Sequence, residues 1–243
     1  MDMPSPEHHF TGPMGSEFWR ITVPPEIVPV LAKEIDWNNF GRRVLIDPVA
    51  GIISWMNPSG THEDIADATD KIVERASQLL GCQAKAKRGT RWKGPDDPKN
   101  TGLEADAAFY IGTNAKLWVD AFREGGPKYI EAFEAETPPD LVVEVEVTHL
   151  DADKPALYAR LGIREMWRIV GHKITNHVKV EILDLQQENG PQAVKKSQVL
   201  EGLTYTNLPE TFWLARSLQY DELQSMLEEL LVQGPDPRDG IGL

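Results

Sequence analysis

Two strand-length runs of apolar residues, each interrupted by carboxylates, limit what this chain can fold into more than any other feature. The first is EADAAFYIG, residues 104–112, and the second is PPDLVVEVEV, residues 138–147. Successive side chains of a strand point to opposite faces. In the first run Ala105, Ala107, Phe109 and Ile111 are expected on one face, with Glu104, Asp106, Ala108 and Tyr110 on the other. In the second, Val143, Val145 and Val147 stand against Val142, Glu144 and Glu146. A carboxylate inside an apolar strand is costly to bury unless it is paired or coordinated. Two solutions are open. Either both strands are half exposed and the acids face solvent, or the strands are neighbours and three or four carboxylates converge. A hard divalent cation would resolve that repulsion, because Mg²⁺ takes oxygen ligands and keeps several waters.

Lys154 bears on the choice. It stands just before Pro155, which opens a helix expected over 155–161 and stopped by Gly162. A lysine there opposes the helix dipole and is a poor cap. The acidic cluster upstream is a partner for it; the alternative is a lysine in open water. Tyr158 lies four residues on, on the same helix face, and reads as a core tyrosine or as a support for the lysine.

The remaining patterns supply a scaffold. Residues 24–35 suit a short helix, and 43–56 two strands about a turn at 47–51. Ile65, Ala68, Ile72, Ala76 and Leu79 recur at helical spacing between His62 and Leu80, with Gly81 as the stop and a capping-box pattern at Thr61 and Asp64. Residues 117–137 are a charged, partly helical excursion. EMWRIV (165–170) is a strand, the segments HKITNHVKVEILDL and VKKSQVL suggest an antiparallel meander, and 217–232 a last helix with Leu218, Leu223, Met226, Leu227 and Leu230 inward. This order predicts one α/β domain, a mixed sheet with helices on both faces. It is expected over 36–232, between an N-terminal arm (1–35, partly disordered) and a flexible tail (233–243).

The net charge is −13, from 25 basic and 38 acidic residues. Such a surface repels nucleic acid at long range, so any DNA contact needs a local basic patch. One candidate is KAKRGTRWKGPDDPK, residues 85–99, in which Lys85, Lys87, Arg88, Arg91, Lys93 and Lys99 outnumber Asp96 and Asp97 and Trp92 lies among the cations. Read alone it is a solvated loop. No apolar stretch approaches the roughly 18 residues a membrane span needs, and the opening MDMPSPEHH lacks the pattern of a signal peptide. Cys82 is the only cysteine, which fits a reducing compartment, so a cytoplasmic location is expected. His149 follows the second acidic strand closely enough to reach the site but reads as a loop histidine bonded to backbone, His172 and His177 lack a third ligand, and His8 and His9 lie in the N-terminal arm; none is assigned to metal.

The segments PSGTHEDI, GLEADAAFYIG and PPDLVVEVEVTHLDADKPALYARLGIREMWRI, with the closing leucine-rich helix, resemble in order the Uma-two family of restriction endonucleases, within the PD-(D/E)XK nuclease superfamily. The resemblance implies a restriction-endonuclease-like α/β fold, a mixed central sheet flanked by helices. Asp106 matches the first metal-binding aspartate of the superfamily pattern and Glu144 the acidic residue of its second half. Two positions on, where many members place lysine, this chain has Glu146. The family carries a lysine in the DK element that follows, matched here by Lys154. His62 matches a histidine at the start of the first long helix, and Glu63 follows it. The implied chemistry is metal-assisted hydrolysis of phosphodiester bonds in DNA, with Asp106, Glu144, Glu146 and Lys154 as the catalytic set. Asp106 and Glu144 would hold Mg²⁺ or Mn²⁺, Glu146 or Glu104 would assist, and His62 and Glu63 would be accessory. Lys154 would stabilise charge on the phosphorane or orient the attacking water. Lys85, Lys87, Arg88, Arg91 and Lys93 would grip the DNA backbone, and a homodimer would suit cutting of two strands. Two other readings stand beside this one. The first is a nuclease fold kept for binding or regulation without activity, favoured by the acidic surface and Glu146. The second is a phosphodiesterase acting on a small substrate.

Overall fold

A computed structural model describes residues 7–11, 17–34, 43–56, 60–88, 91–92, 102–146, 152–171 and 177–232. In chain order the elements are β1 (Glu7–Thr11), β2 (Glu17–Thr22), a 3-10 turn at Pro25–Ile27 running into α1 (Val28–Glu34), β3 (Arg43–Asp47), β4 (Ile52–Met56), α2 (Gly60–Leu79), β5 (Ala84–Lys87), β6 (Arg91–Trp92) and β7 (Gly102–Glu104). They continue with β8 (Ala107–Ile111), α3 (Thr113–Gly125), α4 (Pro127–Glu136), β9 (Leu141–Glu146), α5 (Lys154–Arg160), β10 (Glu165–Gly171), β11 (Val178–Asp184), β12 (Gln192–Val194), α6 (Leu208–Arg216) and α7 (Tyr220–Val232).

The strands form two six-stranded sheets, ordered β1-β2-β4-β3-β7-β6 and β12-β11-β10-β9-β8-β5. Among the described residues only β9 and β10 pair in parallel. Parallel neighbours need a crossover, and α5 is part of it. The apolar stripe of α2 (Ile65, Ala68, Ile72, Ala76) is buried with α6 and α7 against Ala107, Phe109, Val143, Val145 and Trp167 of the second sheet. A fully buried side chain of this size contributes roughly 1.5–3 kcal/mol, so this face carries much of the core. The opposite face meets α3, α5 and the first sheet: Tyr110, Val142, Leu157 and Tyr158 join Leu45, Ile52 and Leu103 in one cluster. Val28, Val44, Ile46 and Ile53 close the outer side of the first sheet under α1.

Several expectations are corrected. The run 104–112 is not one strand. β7 pairs with β3 and β6 in the first sheet, whereas β8 pairs with β9 and β5 in the second. The alternation restarts at the crossing, so Ala105 packs with Ala108 and Tyr110 rather than with Ala107, Phe109 and Ile111. Within the expected N-terminal arm, β2 is a ladder strand running from Phe18 opposite Met56 to Thr22 opposite Ile52, and β1 pairs with it. Thr61 lies inside α2, which begins at Gly60. The last helix, α7, starts at Tyr220 rather than at 217; α6, absent from the expected elements, precedes it, and Leu218 between the two is 66% exposed rather than inward. The tail 233–243, Val147, His149 and His172 lie outside the described residues. Among the described residues no helix is long and apolar enough to cross a membrane.

Candidate active site

Asp106 occupies the point where the chain leaves one sheet for the other, between β7 and β8. It is buried. Its Oδ2 accepts the Val145 N–H at 2.6 Å, standing in for the main-chain ladder that β8 supplies only from Ala107 onward. The register places Ala107 opposite Val143, so one further step sets Asp106 opposite Glu144. His62, in the first turn of α2, brings Nε2 to 3.0 Å from the same Oδ2. Val143 and Val145 face α2, which leaves Val142 and Glu144 on the opposite side, toward α5.

Glu144 is fully buried. Lys154 and Tyr158 are spaced four apart, so they present one helix face, and each takes one oxygen of the carboxylate. The Lys154 ammonium lies 2.5 Å from Oε2, and the Tyr158 hydroxyl donates to Oε1. Burial pushes the Glu144 carboxyl above its ordinary range; Lys154 opposes this, and the nearby charge of Asp106 adds to it. Two carboxylates that feel each other in a dry site are costly, and the lysine offsets only part of that cost.

Glu146 has another neighbour. The Arg168 Nε lies 3.5 Å from its Oε2, and Arg168 also meets Glu181 of β11 at 3.4 Å. Arg168 sits opposite Glu144 in the β9–β10 register and opposite Glu181 in the β10–β11 register. The result is a row of alternating charge across three strands. Glu63, in α2, and Glu104, in β7 opposite Arg91, are half buried.

Lys85, Lys87 and Arg88 of the basic segment are engaged within the protein. The ammonium groups of Lys85 and Lys87 lie 4.5 and 5.4 Å from the Trp118 ring centroid on α3. Lys87 also pairs with Glu134 of α4 at 2.7 Å. Arg88 reaches Asp67 and Asp70 of α2 at 2.6 and 2.8 Å. Arg91 lies on β6; its side chain, like the whole of Lys93, falls outside the described residues.

Arg168 was not singled out in the sequence. Its signal is the alternation of EMWRIV, which puts the arginine on a sheet face beside a strand carrying two glutamates. Among the described residues, no group of three or more His, Cys, Asp or Glu side chains stands where it could hold a metal ion. The donor chemistry of Asp106 and Glu144 still fits a hard cation. Mg²⁺ is commonly held by one or two carboxylates with waters and substrate phosphate completing its shell, and the mutual repulsion felt at Glu144 is what such a cation relieves. A model of the family described as Uma2, "Putative restriction endonuclease", matches residues 35–219. No curated protein matches the chain.

Proposed function

The chain belongs to the Uma2 family, within the restriction-endonuclease-like PD-(D/E)XK superfamily, and on that premise we propose that it is a metal-dependent endonuclease that hydrolyses phosphodiester bonds in DNA. The observation that carries the reading is the buried Glu144, set beside Asp106 and shared between Lys154 and Tyr158. Asp106 and Glu144 are the proposed metal-holding residues, with Glu146, Glu104, His62 and Glu63 as accessories. A bound Mg²⁺ or Mn²⁺ would polarise the scissile phosphate and lower the pKa of a water.

The chain's own residues have separable tasks. The Val145 N–H and His62 hold Asp106 Oδ2 in one place. Tyr158 fixes the rotation of the Glu144 carboxyl, and Lys154 opposes the upward pull of burial on it. The lysine also sets a positive charge beside the carboxylate pair, where negative charge develops on a phosphate under attack. Removing one such positioned group costs typically about 10²–10³ in rate. Lys85, Lys87, Arg88, Arg91 and Lys93 are the proposed backbone contacts, the first three by exchanging partners inside the protein for phosphate. A cytoplasmic homodimer completes the proposal.

A second reading, a nuclease fold retained for binding or regulation, is favoured by one observation: Glu144 and Glu146 already face the protein's own cations. Supercoiled plasmid incubated with Mg²⁺ or Mn²⁺, with and without EDTA, separates the two. The nuclease reading expects metal-dependent nicking that Asp106→Ala abolishes. Nicking that survives this substitution removes the site assignment. No cutting, together with no cation binding by calorimetry, favours the second reading.

A further inference from the structure

α5 has little of its own to hold it. It is seven residues long and lacks both a side-chain cap and an acid in its first turn. Lys154 at its start works against the dipole, and a helix this short is marginal in isolation. Yet the site depends on where it lies, since it carries both partners of Glu144. Two ion pairs bracket it, one at each end, and both come from the first sheet. Arg20 on β2 reaches Asp153, the residue before Lys154, at 2.7 Å. Asp47, at the end of β3, meets Arg160, the last residue of α5, at 2.5 Å. Asp47 is itself fixed: it is buried, and its other oxygen accepts the Val49 and Ala50 N–H groups at 3.0 and 3.1 Å. About 10 Å of helix separates the two anchor points, and Lys154 and Tyr158 lie between them. β2 precedes the segment matched by the family model.

We propose that the first sheet is a clamp on α5, and that Arg20, Asp47 and Arg160 are positioning residues which set Lys154 and Tyr158 against Glu144. Loss of either pair lets the helix shift and loosens the lysine's hold on the carboxylate. The kinetic consequence rests on the nuclease reading; the thermodynamic one does not. The experiment therefore has two arms. In the first, urea unfolding at pH 8 measures the effect of Lys154→Met in the wild-type and in the Arg20→Ala and Arg160→Ala backgrounds. Arg20 and Arg160 are partly exposed and Asp47 retains the Val49 and Ala50 N–H groups, so both variants are expected to stay folded, which the urea baselines check directly. The factor by which Lys154→Met raises the unfolding equilibrium constant is expected to shrink by about tenfold in the clamp variants.

In the second arm, plasmid nicking is expected to lose about tenfold in kcat for Arg20→Ala with KM little changed, the pattern of a lost transition-state contact. Arg20→Lys is expected to restore most of the loss. Arg75→Ala serves as a control: it breaks a bond to Gln224 far along α2 and should leave both readouts unchanged. Equal effects of Lys154→Met in all backgrounds overturn the clamp whether or not the protein cuts DNA. An equal kcat loss in Arg75→Ala, or no rescue by Arg20→Lys, overturns it as well. Coupling in the first arm without nicking by the wild type upholds the clamp and refutes the nuclease reading alone.

Discussion

Replacing Lys154 by Met leaves a methionine-sized side chain on α5 and takes the cation away from Glu144. Removing one partner of a buried ion pair costs about 3–5 kcal/mol, because the other charge is left uncompensated. Two features reduce that figure here. The Lys154 side chain retains 12% exposure, so its own desolvation was incomplete. Glu144 also keeps the Tyr158 hydroxyl and escapes its charge by binding a proton, at about 1.4 kcal/mol per unit of pKa. We expect a loss of about 2–3 kcal/mol at pH 8.

The pH dependence is the sharper test. The Glu144 carboxyl is already raised above 4.5 in the folded protein, and losing the lysine raises it further. Below the unfolded value the group is protonated in both states, the ionic attraction is absent, and the loss shrinks to under about 1 kcal/mol. The cost of Lys154→Met must therefore grow as pH rises from 4 toward 8. Urea unfolding followed by tryptophan fluorescence measures it. A cost that is flat across that range, or one that persists undiminished in a Glu144→Gln background, refutes the reasoning.

Three further outcomes are expected. Glu165 is buried and raised, although Gln198, Ser197 and Trp167 donate to it. Its proton is held more tightly in the folded state, so the stability of wild type relative to Glu165→Gln should fall as pH climbs from about 4 to 8, read by thermal unfolding across pH. Phe212→Ala empties a fully buried position on α6 and should cost about 3–5 kcal/mol in chemical denaturation; a cost under about 1 kcal/mol would mean that α6 is not part of the core. Leu218 is held at φ 60 between α6 and α7 with its side chain mostly exposed. Leu218→Gly relieves that backbone while giving up little buried surface, and should raise stability by about 0.5–1 kcal/mol in the same assay.

The parts of the fold written in local periodicity were legible in the sequence. Ile65, Ala68, Ile72 and Ala76 announce the buried stripe of α2, and the alternation in LVVEVE separates Val143 and Val145 from Glu144. The Lys154–Glu144 contact was legible too, because a lysine in a first turn needs a counter-charge that the helix does not provide. What stayed hidden depends on partners distant in the chain. EADAAFYIG alternates without a flaw, and nothing local says that its first half pairs with β3 and its second half with β9. Lys85, Lys87 and Arg88 read as a solvated run because Trp118, Glu134, Asp67 and Asp70 come from other segments. The start of α7 was concealed because Leu218, an apolar residue at helical spacing, instead fills a left-handed position usually given to glycine.

The crossing at Asp106 has a mechanical reading. Within a couple of residues the polypeptide is stitched to both sheets, so this carboxylate lies on the seam between them. Any force that slides one sheet over the other is transmitted first to that aspartate and, through its grip on the Val145 amide, to the strand bearing Glu144. A load applied to β7 in the first sheet thereby reaches the Glu144 strand through the chain at Asp106 and its hydrogen bond to Val145.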